Sequence, residues 1–261
     1  MICLKAVNQN GDKIAENQGK EEVNLVIEHQ YEEGDTILIQ PGEVPGYYWL
    51  QIDDALGKSL VYMTGDQVYE IPFAEKRMNI SSKAFSGSVH LISMRKAKSF
   101  EIESYRNLAY NVNDQHGDVN CYPHAYANVE TRGESVFAAK NAIDGVTANV
   151  DHGKWPYASW GINRRDDAEL TLDFGRMVEI DRIIIYTRAD FPHDNWWVQG
   201  TLEFSDDSNM TIALQKTGEG QEIVFQKKKI QWLKLKELIK ADDPSPFPAL
   251  TQIEVYGRES L

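Results

Sequence analysis

The sequence predicts an all-β protein built as two β-sandwich (jelly-roll) domains. Apolar residues recur at every second position in short runs, the period of a strand with one buried face. Turn-forming residues punctuate those runs at close intervals, as in antiparallel sheets. The length of 261 residues suits one large domain or two ordinary ones, and the runs fall into two groups.

The first group begins at Val23, Leu25 and Ile27 and continues through Ile37 and Ile39, Leu50 and Ile52, and Val89 and Leu91. Glu33-Gly34-Asp35, Gln40-Pro41-Gly42, Pro45-Gly46 and Thr64-Gly65-Asp66 supply the turns between them. Residues 1–104 are therefore expected to form one sandwich, for which the sequence suggests no role. Asn, Asp, Gly and Gln dominate the stretch that follows, which places a linker at 105–121. Strand patterns return over 122–261, at Leu170, Leu172 and Phe174, Ile183 and Ile185, Leu202 and Phe204, Ile223 and Phe225, Leu233 and Leu235, and Ile253 and Val255. Only Glu134 to Ala142 reads as a helix, closed by Ile143-Asp144-Gly145. The long strand-helix alternation of a doubly wound nucleotide fold or a (β/α) barrel does not occur.

Forty acidic residues against 27 Lys and Arg give a net charge of −13 and a pI near 4.9. A polyphosphate backbone would be repelled, so nucleic acid is not an expected partner. Residues 1–29 carry charges throughout and lack the apolar core of a signal peptide, and no run of about 18 apolar residues occurs, so a cytoplasmic location away from membranes is expected. Cys3 and Cys121 lie far apart with no CxxC partner, which points to reduced thiols. The common hydrolase and nucleotide motifs are missing, and the GxG at Gly218 and Gly220 meets Ile223 where a third glycine is needed. Four Asp-Asp pairs, Asp53-Asp54, Asp166-Asp167, Asp206-Asp207 and Asp242-Asp243, read as turn and capping residues, because neighbours on a strand point to opposite faces and cannot flank one glycosidic bond. Lys227-Lys228-Lys229 reads as a solvated hairpin turn.

An ordered series of short pieces, Asn141-Ala142-Ile143-Asp144-Gly145, Ser159-Trp160, Ala168 to Gly175, Ile180 to Tyr186 and Ile253-Glu254-Val255-Tyr256-Gly257, resembles the discoidin or coagulation factor 5/8 type C superfamily. The match covers 122–258, a little over half the chain, and implies a galactose-binding-like sandwich in that half. Many members are sugar-binding modules, some with a structural calcium. The resemblance implies Asp144 and Glu254 as its carboxylates, with carbonyls from Asn141 and Thr147. Calcium takes about six to eight hard oxygens, and a tight loop of carbonyls suits it. The alternative is that Asp144 only ends the helix and opens the turn at Gly145.

Ligands in this superfamily bind on loops at one end of the sandwich. Three loops combine flat aromatic surface with charged and amide groups, as a sugar's apolar face and hydroxyl rim require: Asp151 to Tyr157, Asn163 to Asp166 and Arg188 to Trp197. From them Trp155, Tyr157, Arg164, Arg188, Asp190, His193, Asp194 and Trp196 are the candidate ligand-binding residues, while Trp160 and Trp232, beside strand patterns, are expected in the core. The expectation is a non-catalytic carbohydrate-binding protein that recognises a sugar or oligosaccharide, with a structural calcium as its one candidate cofactor, and with both the ion and homo-oligomerisation left open. Two rivals stand beside it: a cytosolic sugar-processing hydrolase or isomerase with Asp190, His193 and Asp194 as acid and base, and a protein-interaction scaffold.

Overall fold

The structure, a computed structural model, describes residues 1–148 and 153–260. It is all-β, with 46% strand and 7% helix. The first half contributes β1 (Ile2–Val7), β2 (Lys13–Gly19), β3 (Glu22–Ile27), β4 (Thr36–Gln40), β5 (Gly46–Gln51), β6 (Ser59–Met63), β7 (Gln67–Glu70) and β8 (His90–Lys96). After a single helical turn α1 (Ser99–Ile102) come the short strands β9 (Arg106–Asn107), β10 (Cys121–Tyr122), β11 (His124–Ala127) and β12 (Trp160–Gly161). The long strands of the second half follow: β13 (Leu170–Thr187), β14 (Trp197–Phe204), β15 (Asn209–Ala213), β16 (Gln221–Lys240) and β17 (Ala249–Glu259).

In the first sandwich the sheet β2-β1-β4-β7 packs on the sheet β10-β6-β5-β8-β3. Leu4, Ile37 and Ile39 of one meet Leu25, Leu50, Val61 and Ile92 of the other in a single core. β3 alternates as the sequence predicts, with Val23, Leu25 and Ile27 inside. β8 corrects its expected phase: Val89 is 64% and Leu91 37% exposed, while His90, Ile92 and Met94 are buried. Register explains this, because Ile92 lies opposite Leu25 and Met94 opposite Leu50, and residues directly opposite share a face.

The second sandwich is one antiparallel sheet, ordered β12-β17-β13-β16-β14-β15, with β11 added on β13 and β9 on β17. Register breaks between Asp173 and Val178 and between Ile180 and Arg182 bend β13. Its first part pairs with β11 and its second with β17, while β16 follows it throughout. The folded sheet encloses a core in which Trp160, Phe174, Trp197 and Phe204 are fully buried.

Three expectations are corrected here. Residues 134–142 form no α-helix but two 3-10 turns, Ser135–Phe137 and Ala139–Ile143, separated by extended Ala138. Other partners take the groups a helix would use: the Ala139 N–H donates to the Glu130 carboxylate, the Ser135 carbonyl accepts from the Asn141 side chain, and the Val136 carbonyl accepts from the Ser159 N–H. Lys227 to Lys229 lie inside β16, with Lys228 and Lys229 paired to β13, so the two patterns flanking them are one strand. Trp232 is half-buried, with the Lys234 ammonium 5.6 Å above its ring, so it lies outside the core.

Segment 105–121 is built into both sandwiches. Leu108 and Ala109 sit in the second core, and Cys121 in the first. The Leu108 N–H donates to Val255, that of Asn111 to Ile143, and Thr64 donates back to Asn120. At the seam Arg176 makes two hydrogen bonds to the Glu259 carboxylate, at 2.9 and 2.7 Å, and from the first sandwich the Tyr47 hydroxyl donates to Glu259 at 2.8 Å while the Tyr47 and Tyr62 rings lie beneath the Arg176 guanidinium. Asn79 donates to Asn141 at 2.8 Å in a fully buried contact. Both cysteines are free thiols.

Candidate functional site

Four segments meet at one end of the second sandwich: the turn at Thr131, the stretch after β12, the loop after β13 and the residues leading into β17. They enclose a pocket of about 330 Å³. The loop after β13 is held from beneath. The Arg188 N–H donates to the Ala249 carbonyl at 2.9 Å, which extends the ladder with β17 and aims the side chain inward. Its Nε lies 3.2 Å from Asp194 Oδ2, and both side chains are almost completely buried. Asp194 Oδ2 also accepts the Asp190 N–H at 2.8 Å, and Oδ1 lies 3.0 Å from His193 Nδ1. One buried carboxylate thus gathers a guanidinium, an imidazole and a main-chain amide, the condition under which a buried charge is tolerated. Asn195, also fully buried, donates to the carbonyls of Ala241 and Ser245, which fixes this loop to the one before β17.

On this base sits an aromatic platform. Phe247 is 40% exposed, and the His193 ring stacks on it at 5.5 Å and 11°. The Arg164 guanidinium lies 4.7 Å from the Phe247 ring centre. Asn163 and Arg164 both adopt left-handed backbone, with φ of 49° and 60°. Asn accepts this conformation readily, whereas Arg does so at a cost of about 1–3 kcal/mol, and such strain collects at binding sites. The strained pair is pinned by the Asn163 N–H on Thr131 Oγ1 at 2.9 Å.

Three guanidinium groups, from Arg132, Arg164 and Arg188, line the pocket against one carboxylate, Asp194. Arg188 is paired with Asp194, and Arg132 with Glu134. Among the described residues no carboxylate pairs with Arg164. A chain of net charge −13 therefore carries here a small region of positive excess.

Arg164, Arg188, His193 and Asp194 are thus brought together as candidates, and the buried Tyr157 ring stands 5.9 Å from the Arg188 guanidinium. Asp190, Trp155 and Trp196 do not line this pocket. Trp196 packs edge-on against Phe191 and beneath Lys216, and Trp155 lies at a different cavity. Asp151 and His152, expected in the same set of loops, fall outside the described residues. Phe247 and Thr131 line the pocket without having been singled out in the sequence, and Asn163 had been named only as the start of its loop. The available signal for Phe247 was an aromatic residue held between Pro246 and Pro248 just before a strand.

The two carboxylates expected to hold calcium both accept hydrogen bonds within the protein. Asp144 Oδ1 accepts the Val146 N–H at 2.8 Å, and burial pushes this carboxyl up to about 7. The Asn141 amide donates to the carbonyls of Ser135 and Ser159. Glu254 accepts the Tyr256 hydroxyl, and the β17 side chain that meets the Asp144 turn is instead Gln252, a neutral amide accepting the Gly145 N–H. Thr147 is exposed. Among the described residues no three His, Cys, Asp or Glu side chains converge.

The adjacent Asp pairs are turn residues: Asp53 accepts the Ala55 and Phe85 N–H groups, Asp206 that of Ser208, and Asp243 that of Ser245.

A family described as a domain of unknown function, DUF7402, matches residues 120–242, a little under half the chain. No curated protein matches. Among solved structures the chain is similar to chitosan-binding module 1 of a chitosanase/glucanase from Paenibacillus sp. IK-5, at 19% identity over 59% of this chain and 100% of that one, TM-score 0.41. It is similar to a Streptococcus pneumoniae fucose binding module at 17% identity, over 59% and 98%, TM-score 0.41. It is also similar to a family 32 CBM from C. perfringens, solved with galactose, at 18% identity, over 51% and 91%, TM-score 0.37.

Proposed function

We propose that this chain is a non-catalytic saccharide-binding protein whose site is the pocket at the end of the second sandwich, and that a saccharide bearing a carboxylate suits it best. The observation that carries the reading is the half-exposed Phe247 ring, framed by His193 and Arg164 above the buried Arg188–Asp194 pair. A pyranose presents C–H groups to such a ring and hydroxyls to the donors around it. The superfamily resemblance of residues 122–258 supports the same class of ligand. Charge supports the acidic preference, because Arg164 offers a planar fork of donors to an incoming carboxylate.

His193 beside Asp194 also suits acid-base chemistry, which keeps an enzyme as the second reading. Against it, both Asp194 oxygens are already engaged within the loop, so this carboxylate orients its neighbours and is not presented to a substrate. Titration calorimetry with methyl glucuronide, methyl galacturonide and the matching neutral methyl glycosides tests the proposal, with chromatography of each mixture for products. Binding without conversion, tighter for the acidic pair, is the expected result. Binding of none of the four would remove the reading. Conversion of a glycoside that His193→Ala still binds but does not turn over would replace it by the enzyme.

A further inference from the structure

A second cavity, larger than the pocket above, lies elsewhere in the protein. About 580 Å³ opens where the first sandwich, the segment 105–121 and the second sandwich meet, and it shares no lining residue with the end pocket. Ligand sites favour such junctions.

Its polar groups are incompletely used. Asn79 is 3% exposed and donates to Asn141, yet its Oδ1 has no partner among the described residues. Buried amide oxygens are almost always satisfied, so this one calls for a water or a ligand donor. The Lys140 ammonium reaches only the main-chain carbonyl of Asp114, at 3.2 Å, and makes no ion pair among the described residues. Asp144 receives the Val146 N–H and, among the described residues, no side-chain donor. Ile80 and Val112 supply apolar wall, and Trp155, 47% exposed, lies among the lining residues.

We infer that this cleft is a second binding site, for a neutral saccharide. Its lining joins acceptors, Asn79 and Asp144, to a donor, Lys140, beside apolar surface and an exposed indole. A hydroxyl both donates and accepts, so vicinal hydroxyls satisfy all three groups at once. Lys83 and Lys140 balance Asp114 and Asp144 among the lining residues, so a charged ligand of either sign gains no net attraction. The indole gives a pyranose ring a flat apolar surface to rest on. The inference stands on residues that the end pocket does not use, so either site can fail without the other.

Saturation-transfer NMR on the full chain tests it, with methyl glucoside, methyl galactoside and methyl mannoside as probes. At least one probe should receive saturation from the wild-type protein and from Phe247→Ala, and should bind at least tenfold more weakly to Trp155→Ala. Trp155→Phe should restore most of the binding, which a folding defect would not allow. Asn79→Ala, checked for folding by its melting curve, should weaken the same probe. The inference is overturned if none of the probes binds, which leaves a cavity holding water only. It is equally overturned if Trp155→Ala binds as the wild type does, or if Phe247→Ala abolishes the neutral glycosides.

Discussion

The pocket at the end of the second sandwich and the cleft between the sandwiches draw on the same residue types, Asn, Asp, a cation and an aromatic ring, but hold them differently. In the end pocket every buried charge has its counter-charge in the protein, and the groups left over are guanidinium at the rim. In the cleft the cation and the carboxylate reach mainly main-chain groups, and a buried amide oxygen is left over. Prior pairing makes the first site rigid and positive, whereas incomplete pairing makes the second neutral on balance and hungry for hydroxyls. Which groups remain after the protein has satisfied itself, more than which residues line a cavity, sets the chemistry of its ligand.

The largest effect that would break this contrast comes from Arg188. Replacing it with Met should leave Asp194 buried without its guanidinium, lowering stability by about 3–5 kcal/mol and abolishing binding at the end pocket. Chemical denaturation measures the first consequence, and an unchanged midpoint would show that the pair is not the base of the site. A smaller effect is expected from Phe247→Ala. Methyl glucuronide affinity should fall roughly tenfold, about 1.4 kcal/mol, with stability changed by less than about 0.5 kcal/mol, since the ring is half-exposed.

A third prediction concerns the seam beside the cleft. Burial, with the nearby charge of Asp114, pushes the Asp118 carboxyl up to about 7. Burial pulls His124 down, but its hydrogen bond to Asp114 and the surrounding carboxylates raise it on balance. Between pH 3.8 and about 7 the unfolded chain has already released the Asp118 proton while the folded chain retains it. Stability therefore falls as pH rises through this window, and His124 continues the fall above its ordinary value as its folded form loses the proton. Calorimetric melting at pH 5, 6, 7 and 8 should show a declining midpoint, and Asp118→Asn should flatten the lower part of the curve. The smallest effect belongs to Trp196→Ala, which should leave glucuronide affinity within twofold of the wild type, because its indole packs on Phe191 and Lys216.

Much of this was legible in the sequence wherever period two is simple. Val23, Leu25 and Ile27 read correctly because nothing else competes for their face. Val89 and Leu91 did not, since the inward position between them is His90, whose burial depends on Asp53 3.4 Å away, far off in sequence. Arg164, Arg188, His193 and Asp194 stood out as charged residues concentrated between strand patterns. Trp196 and Trp197 could not be ranked: β14 begins there, and only its pairing decides that Trp197 enters the core. Phe247 was hidden because a Pro-rich approach to a strand looks like a connection, and its value comes from His193 and Arg164 arriving from other loops. The short helix failed because the Glu130 and Asn141 side chains and the Ser159 main-chain N–H took its hydrogen-bonding groups.

The central claim, that the end pocket is the site of an acidic saccharide, is tested most directly by amide chemical-shift mapping of the labelled full chain titrated with methyl glucuronide. The account predicts that the largest shifts fall at Asn163, Arg164, His193 and Phe247 and saturate together, while Asn79, Lys140 and Trp155 stay unmoved. Largest shifts at those last three, or at neither group, would contradict it.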